Sequence, residues 1–143
     1  MTTKLPVLVT GGAGYIGSHA CKALAAAGHE PVVYDSLEYG FREFVKWGPL
    51  EEGNTLDTER LAAVIRTHKP DAVMHFAAYI AAGESVQEPG KYYRNNTAGT
   101  LSLLSAMQDN DVRRLVFSST AAVYGNPIST PIGEDHPLVP INP

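Results

Sequence analysis

Residues Thr10–His19 read TGGAGYIGSH, with Gly11, Gly14 and Gly17 three apart. Before them, Pro6–Thr10 (PVLVT) is a β-branched run with the look of a strand buried on both faces. After them, Ala20, Ala23, Leu24 and Ala27 follow Ile16 at helical spacing, and Gly28 stops the pattern. The stretch therefore reads as a sharp strand-to-helix turn. Gly11 permits the turn, Gly14 lets a ligand approach the backbone, and Gly17 lets the new helix pack closely on the sheet. A helix N-terminus leaves amide donors unpaired at the positive end of its dipole, so this turn suits the pyrophosphate of a dinucleotide. A plain strand-to-helix connection is the alternative when the glycines are taken alone.

Their surroundings favour the ligand reading. Pro31–Asp35 (PVVYD) is a second buried strand, arriving soon enough after the helix to be the parallel partner in a βαβ crossover. Asp35 ends it eighteen residues after Gly17. There a carboxylate accepts from adenosine ribose hydroxyls and repels a 2′-phosphate, which selects NAD over NADP. Gly12 and Gly17 also have P-loop spacing, but Ser18 and His19 occupy the places of the required Lys and Ser/Thr, so the P-loop is set aside.

The same rhythm continues along the chain. A polar turn is expected around EEGNTLD (Glu51–Asp57), then a helix over Thr58–His68 with Leu61, Val64 and Ile65 on one face. DAVMHFAA follows as a strand, then a long helix through NNTAGTLSLLSAMQDN with Leu101, Leu104 and Met107 sharing a face, then the strand RRLVFSS. About five strands alternating with helices predict an α/β fold, a doubly wound parallel sheet of the Rossmann type. From Asn126 onward, five of the ten prolines lie between Pro127 and Pro143, so the tail is expected to be an extended loop.

Composition narrows the function classes. The 143 residues are 44% hydrophobic and 18% charged with a net charge of −4, as expected of one folded domain. The lysines and arginines are scattered, so no nucleic-acid or membrane partner is expected. No secretory apolar segment precedes the first strand and no run is long enough to span a bilayer, so the expected address is cytoplasmic. Cys21 reads as a small core residue. The histidines lack metal-ligand spacing, so no metal is expected, and His75 reads as a satisfied core histidine. Glu51–Glu52 and Glu134–Asp135 read as solvated loop charges.

VTGGAGYIGSH resembles the extended short-chain dehydrogenase/reductase superfamily. HFAAYIAAGESV, PGKYYRNNTAGT, VFSSTAAVYG and EDHPLVPINP are similar to the corresponding blocks of the UDP-glucose (UDP-galactose) 4-epimerases, in the same order over nearly the whole chain. The resemblance implies a bound NAD that takes a hydride from C4 of a UDP-sugar and returns it to the opposite face, the protein positioning and polarising. It also implies roles for individual residues. Tyr15 and Ile16 line the pyrophosphate turn, and Asp35 and Ser36 the adenosine ribose. Asn54 flanks the adenine, Phe76, Ala77 and Ala78 the inner edge of the cofactor, and Asn95 the nicotinamide side. Thr120, at a strand end, hydrogen-bonds the sugar 4-oxygen. Asn54 replaces the usual aspartate, and Ile80 stands where several members have a lysine near the cofactor phosphates. Nucleotide-sugar 4,6-dehydratases carry an aspartate and a glutamate after the catalytic threonine; Ala121 and Ala122 stand there and cannot exchange a proton.

The family's catalytic tyrosine, with a lysine four residues on, follows the INP that ends this chain at Pro143. Tyr124 is no substitute, because Ile128 holds the place of that lysine. The expectation is a single NAD-binding domain over 1–143, incomplete at its C-terminal side and without the sugar-gripping lobe. These residues alone are then expected not to convert UDP-glucose to UDP-galactose. The alternatives are the N-terminal part of an active epimerase, for this or an N-acetylated or pentose sugar, and an inactive NAD-binding module. Homodimerisation through helices is what the family implies.

Overall fold

The computed structural model describes residues 4–143. Five strands, β1 (Pro6–Thr10), β2 (Glu30–Asp35), β3 (Leu50–Glu52), β4 (Ala72–His75) and β5 (Leu115–Phe117), form one sheet in the order β3-β2-β1-β4-β5. Every pairing is parallel. The chain runs outward from β1 to β3, then returns to the other side of β1 for β4 and β5. This reversal puts the switch point of a doubly wound sheet at the C-terminal end of β1, where a crevice opens for a ligand.

Alternation along β1 sorts the core into two layers. Leu8 points to one face, where Val32, Tyr34 and Val73 meet α2 (Thr58–His68) and α5 (Gly99–Asp109) through Leu61, Val64, Ile65, Leu103, Ala106 and Met107. Val7 and Val9 point to the other face, with Val33, Ala13 and Cys21 of α1 (Tyr15–Ala26). Burial pushes the Cys21 thiol up to about 11, so it is an apolar packing group here. Helix α2 spans the range its pattern predicts. The Asp57 carboxylate accepts from Arg60 N–H at 2.9 Å as N-cap, and Lys69 closes the helix in the left-handed region.

Four expectations are corrected. Leu50–Glu52 is an edge strand pairing with Val33–Asp35, not part of a polar turn. Glu51 is accordingly no solvated loop charge: its carboxylate accepts from Arg60 at 2.6 Å and meets His68 Nε2 at 2.7 Å. Those two partners, His68 first, hold its carboxyl below the usual range. Glu51→Ala is expected to cost roughly 0.5–1 kcal/mol in a denaturant melt near neutral pH, and less as acid protonates the carboxylate in the parent protein. In α5 the buried stripe is Leu103, Ala106 and Met107, while Leu101 is 60% and Leu104 40% exposed. The helix turns this way because Gly99 lies against Thr55, where a Cβ would come within 2.6 Å of its hydroxyl, and Ser102 hydrogen-bonds Thr58 at 2.7 Å. In α1 the inward stripe is Gly17, Ser18 and Cys21, with Ala23 and Ala27 exposed.

The segment around GESVQEPGKYY forms two short helices, α3 (Ala82–Gln87) and α4 (Pro89–Tyr92). The long helix expected from Asn95 begins as a π-helical turn, Tyr93–Ala98, before α5. Beyond Phe117 the only regular piece is a short 3-10 turn, Ala121–Tyr124, and the proline-rich tail is extended as expected.

Candidate functional site

A cavity of about 560 Å³ opens at the switch point. Gly11, Gly14, Tyr15, Ile16 and Gly17 form its floor at the start of α1. Asp35, Ser36 and Asn54 line it from the β2 and β3 side, and Phe76, Ala77, Ala78 and Asn95 from the β4 side. The structure thus gathers every cofactor residue named from the sequence around one space. Thr120 is not among the lining residues: it lies three positions past β5, caps the 3-10 turn, and its hydroxyl accepts from Ala122 N–H at 3.1 Å. Ser118 and Ser119 reach the cavity in its place.

The floor is built from backbone. The first intrahelical bond of α1 runs from Ser18 N–H to Gly14 C=O at 3.0 Å, so the amides of Tyr15, Ile16 and Gly17 have no partner within the helix. No side chain caps this end. A Cβ on Gly17 would overlap the Gly11 carbonyl oxygen, and one on Gly11 would lie 2.6 Å from Ala77 N. The helix start, β1 and the β4 exit are therefore packed backbone to backbone. The lining includes no lysine or arginine, and its acidic members are Asp35 and Glu84. Attraction for an anion there comes from unpaired amides and the α1 dipole. This donor set fits a pyrophosphate.

Asp35 supports the turn as well as facing the cavity. Its carboxylate accepts from Ala13 N–H at 3.0 Å and from Leu37 N–H at 2.9 Å, tying β2 to the glycine turn. Leu37 has φ +58°, strained for a branched side chain, and the Asp35 bond helps hold it there. The Asn54 carbonyl oxygen of the side chain accepts from Leu56 N–H at 2.9 Å, which leaves the amide Nδ2 as its donor toward the cavity. Asn95 donates to Asn96 Oδ1 at 2.9 Å.

His75 ends β4 beside the cavity and is 3% exposed. Its Nδ1 lies 2.6 Å from Thr10 Oγ1 and its Nε2 lies 3.0 Å from Thr100 Oγ1. Thr100 donates its hydroxyl proton to Asn96 C=O at 2.6 Å, so Nε2 carries the imidazole proton and Nδ1 accepts from Thr10. The expected satisfied core histidine is borne out.

Sequence reasoning did not find the aromatic wall. Tyr39, Tyr79 and Tyr92 also line the cavity, with Glu84. Glu84 accepts from Lys91 and from Tyr92, both at 2.7 Å, and Lys91 first, then Tyr92, holds its carboxyl low. None of these residues carries a recognisable spacing.

A parallel doubly wound sheet with a glycine turn and strand-end acid at its switch point defines a dinucleotide-binding fold. Residues 7–143 match the NAD dependent epimerase/dehydratase family, and the chain belongs to that family. It is 57% identical over 137 residues to the UDP-glucose 4-epimerase of Rhizobium leguminosarum bv. trifolii, which covers 96% of this chain and 42% of that protein. It is 45% identical over 147 residues to the UDP-glucose 4-epimerase of Bacillus subtilis, covering 97% of this chain and 43% of that one. The crystal structure of UDP-glucose 4-epimerase from Brucella ovis in complex with NAD superposes with a TM-score of 0.91 at 50% identity, covering 96% of this chain and 42% of that chain. The UDP-glucose 4-epimerase of Thermotoga maritima, solved with UDP-glucose, gives a TM-score of 0.88 at 34% identity, with 96% and 46% covered. The chain therefore spans less than half the length of these relatives. Among the described residues no helix is long and apolar enough to cross a membrane.

Proposed function

We propose that these residues are the NAD-binding part of a UDP-glucose 4-epimerase, interconverting UDP-glucose and UDP-galactose. The supporting observation is the cavity floor, where unpaired amides of Tyr15, Ile16 and Gly17 face a space walled by every residue expected to touch a dinucleotide. When bound, the nicotinamide would supply the redox chemistry, accepting a hydride from sugar C4 and returning it to the opposite face. The chain's own residues bind and orient. The α1 amides hold the diphosphate, Asp35 accepts from the adenosine ribose, and Asn54 Nδ2 donates toward the adenine. Phe76, Ala77 and Ala78 bound the inner edge, and Asn95 the nicotinamide side.

In this reading Thr120 donates its hydroxyl proton to the sugar 4-oxygen, a proton that its bond to Ala122 N–H leaves free. Alanines at 121 and 122 support epimerisation over elimination of water, which needs an acid and a base there. The UDP-sugar is the small-molecule partner, and a homodimer joined by helices completes the assembly, with exposed Leu101 and Leu104 as apolar surface available for it.

The test is conversion of UDP-glucose to UDP-galactose by the full-length protein, together with release of NAD on denaturation. Absence of both refutes the reading. Asp35→Asn adds a finer check. The amide keeps one acceptor but loses the charge, so NAD is expected to bind about tenfold more weakly and the preference over NADP to narrow, measured by calorimetric titration with each cofactor.

A further inference from the structure

We propose that Tyr79 and Glu38 form a clasp over the dinucleotide groove that sets how long a bound cofactor stays. The inference rests on the cofactor reading above and adds residues which that reading does not use. Glu38 lies on the loop after β2 and Tyr79 on the loop after β4, and β1 runs between those strands. A bond joining the two loops must therefore arch over the C-terminal end of β1, where the glycine turn lies. That bond exists: Tyr79 O–H donates to Glu38 Oε2 at 2.7 Å, across 41 residues of sequence. A ligand on the α1 amides would lie beneath it.

Both ends of the clasp are anchored. Asn96 grips the Tyr79 backbone twice, its Oδ1 accepting from Tyr79 N–H at 2.8 Å and its Nδ2 donating to Tyr79 C=O at 3.0 Å. Lys91 Nζ sits 5.0 Å from the Tyr79 ring centre and is held there by Glu84. On the other side Asp35 fixes Leu37, next to Glu38, and the Tyr39 ring meets the Tyr79 ring edge-on at 5.5 Å. Tyr39 is 63% exposed at the rim, so its main aromatic support is the clasp. A casual surface hydrogen bond would have neither the fixed backbone behind the donor nor the edge-on ring beside the acceptor. Release of a dinucleotide requires the loops to part, which breaks the Tyr79–Glu38 bond and the ring contact together.

The experiment measures NADH dissociation from the full-length protein by stopped-flow fluorescence, chasing with excess NAD. Tyr79→Phe keeps the ring and removes the donor; Glu38→Ala removes the acceptor. Each is expected to release NADH about three- to tenfold faster, the range one hydrogen bond supplies. The double variant should be no faster than either single one, because all three lose the same bond. In the unliganded protein, Tyr79→Phe should also speed amide hydrogen exchange over residues 36–41. If the parent protein binds no NADH, the cofactor reading falls and the gating role with it. If NADH binds and leaves both single variants at the parent rate, the clasp alone is overturned.

Discussion

Gly11→Ala is expected to lower NAD affinity at least a hundredfold and to destabilise the protein by roughly 2–5 kcal/mol. Gly11 has φ +72°, a left-handed conformation that costs an L-residue about 1–2 kcal/mol. The added Cβ would also lie 2.6 Å from Ala77 N, 2.8 Å from Phe76 C and 2.9 Å from Ala77 Cα. All three are backbone atoms, so no side chain can swing aside, and overpacking of this kind costs a further 1–3 kcal/mol or so. Gly11 also ties β2 to the turn: its N–H donates to Tyr34 C=O at 2.8 Å, and its C=O accepts from Gly14 N–H at 3.1 Å. Relief of the clash must move the Gly11–Gly14 turn, which aims the amides of Tyr15, Ile16 and Gly17. Gly28→Ala is the control. Gly28 has φ +87° but nothing within 4 Å of an added Cβ, so it should cost about 1 kcal/mol and leave NAD binding unchanged. Isothermal titration and denaturant melts on the two variants separate strain from close approach. Near-normal NAD binding by Gly11→Ala would show that the turn does not hold the diphosphate.

The same comparison explains what was legible in the sequence. Gly11, Gly14, Gly17 and Asp35 were readable because a tight turn packed against backbone admits very few residue types, so geometry leaves its mark on composition. The range of α2 was readable because Leu61, Val64 and Ile65 recur at helical spacing after a polar turn, and the Asp57 cap found in the structure agrees with that start. Strand β3 was not. It has three residues, two of them acidic, and becomes a strand because Val33–Asp35 offers it a ladder, a cause that lies in the neighbour. In α5, Leu101, Leu103, Leu104, Ala106 and Met107 make both sides apolar, so periodicity leaves two stripes and the fit of Gly99 on Thr55 decides between them. The clasp was illegible for a related reason. Glu38 and Tyr79 acquire meaning only when β1 separates their strands, and no local pattern encodes that. Thr120 shows the remaining limit: a motif gives its identity, but its place beyond β5 and its bond to Ala122 come from the fold.

Acid should destabilise the protein through His75, by about 3 kcal/mol between pH 6.5 and pH 4. Burial holds the imidazole at about 4, against 6.5 for a free histidine. The neutral form is the one the fold uses. Nδ1 must accept from Thr10 while Nε2–H donates to Thr100, whose own proton is committed to Asn96. Protonation puts a second hydrogen on the ring, facing the Thr10 hydroxyl proton, inside a strand pair that cannot widen. The unfolded chain takes up the proton near pH 6.5 and the folded chain only near pH 4. The contribution is therefore complete above 6.5, falls as pH drops through this window, and is gone below about 4. Equilibrium unfolding at a series of pH values reads the slope. His75→Gln offers an amide oxygen and an N–H in place of the two ring nitrogens but cannot titrate, so its profile should be flatter than the parent's by that 3 kcal/mol. Glu51 and Glu84 also lose stabilising interactions in acid, but they are present in both proteins and cancel in the difference. Parallel profiles would mean that His75 is charged or solvated in the folded state. The effect reaches the site as well, since the His75–Thr100 pair ends at the main-chain carbonyl of Asn96, the residue whose side chain fixes Tyr79. An acid-opened His75 should therefore loosen the aromatic wall of the cavity before the sheet itself gives way.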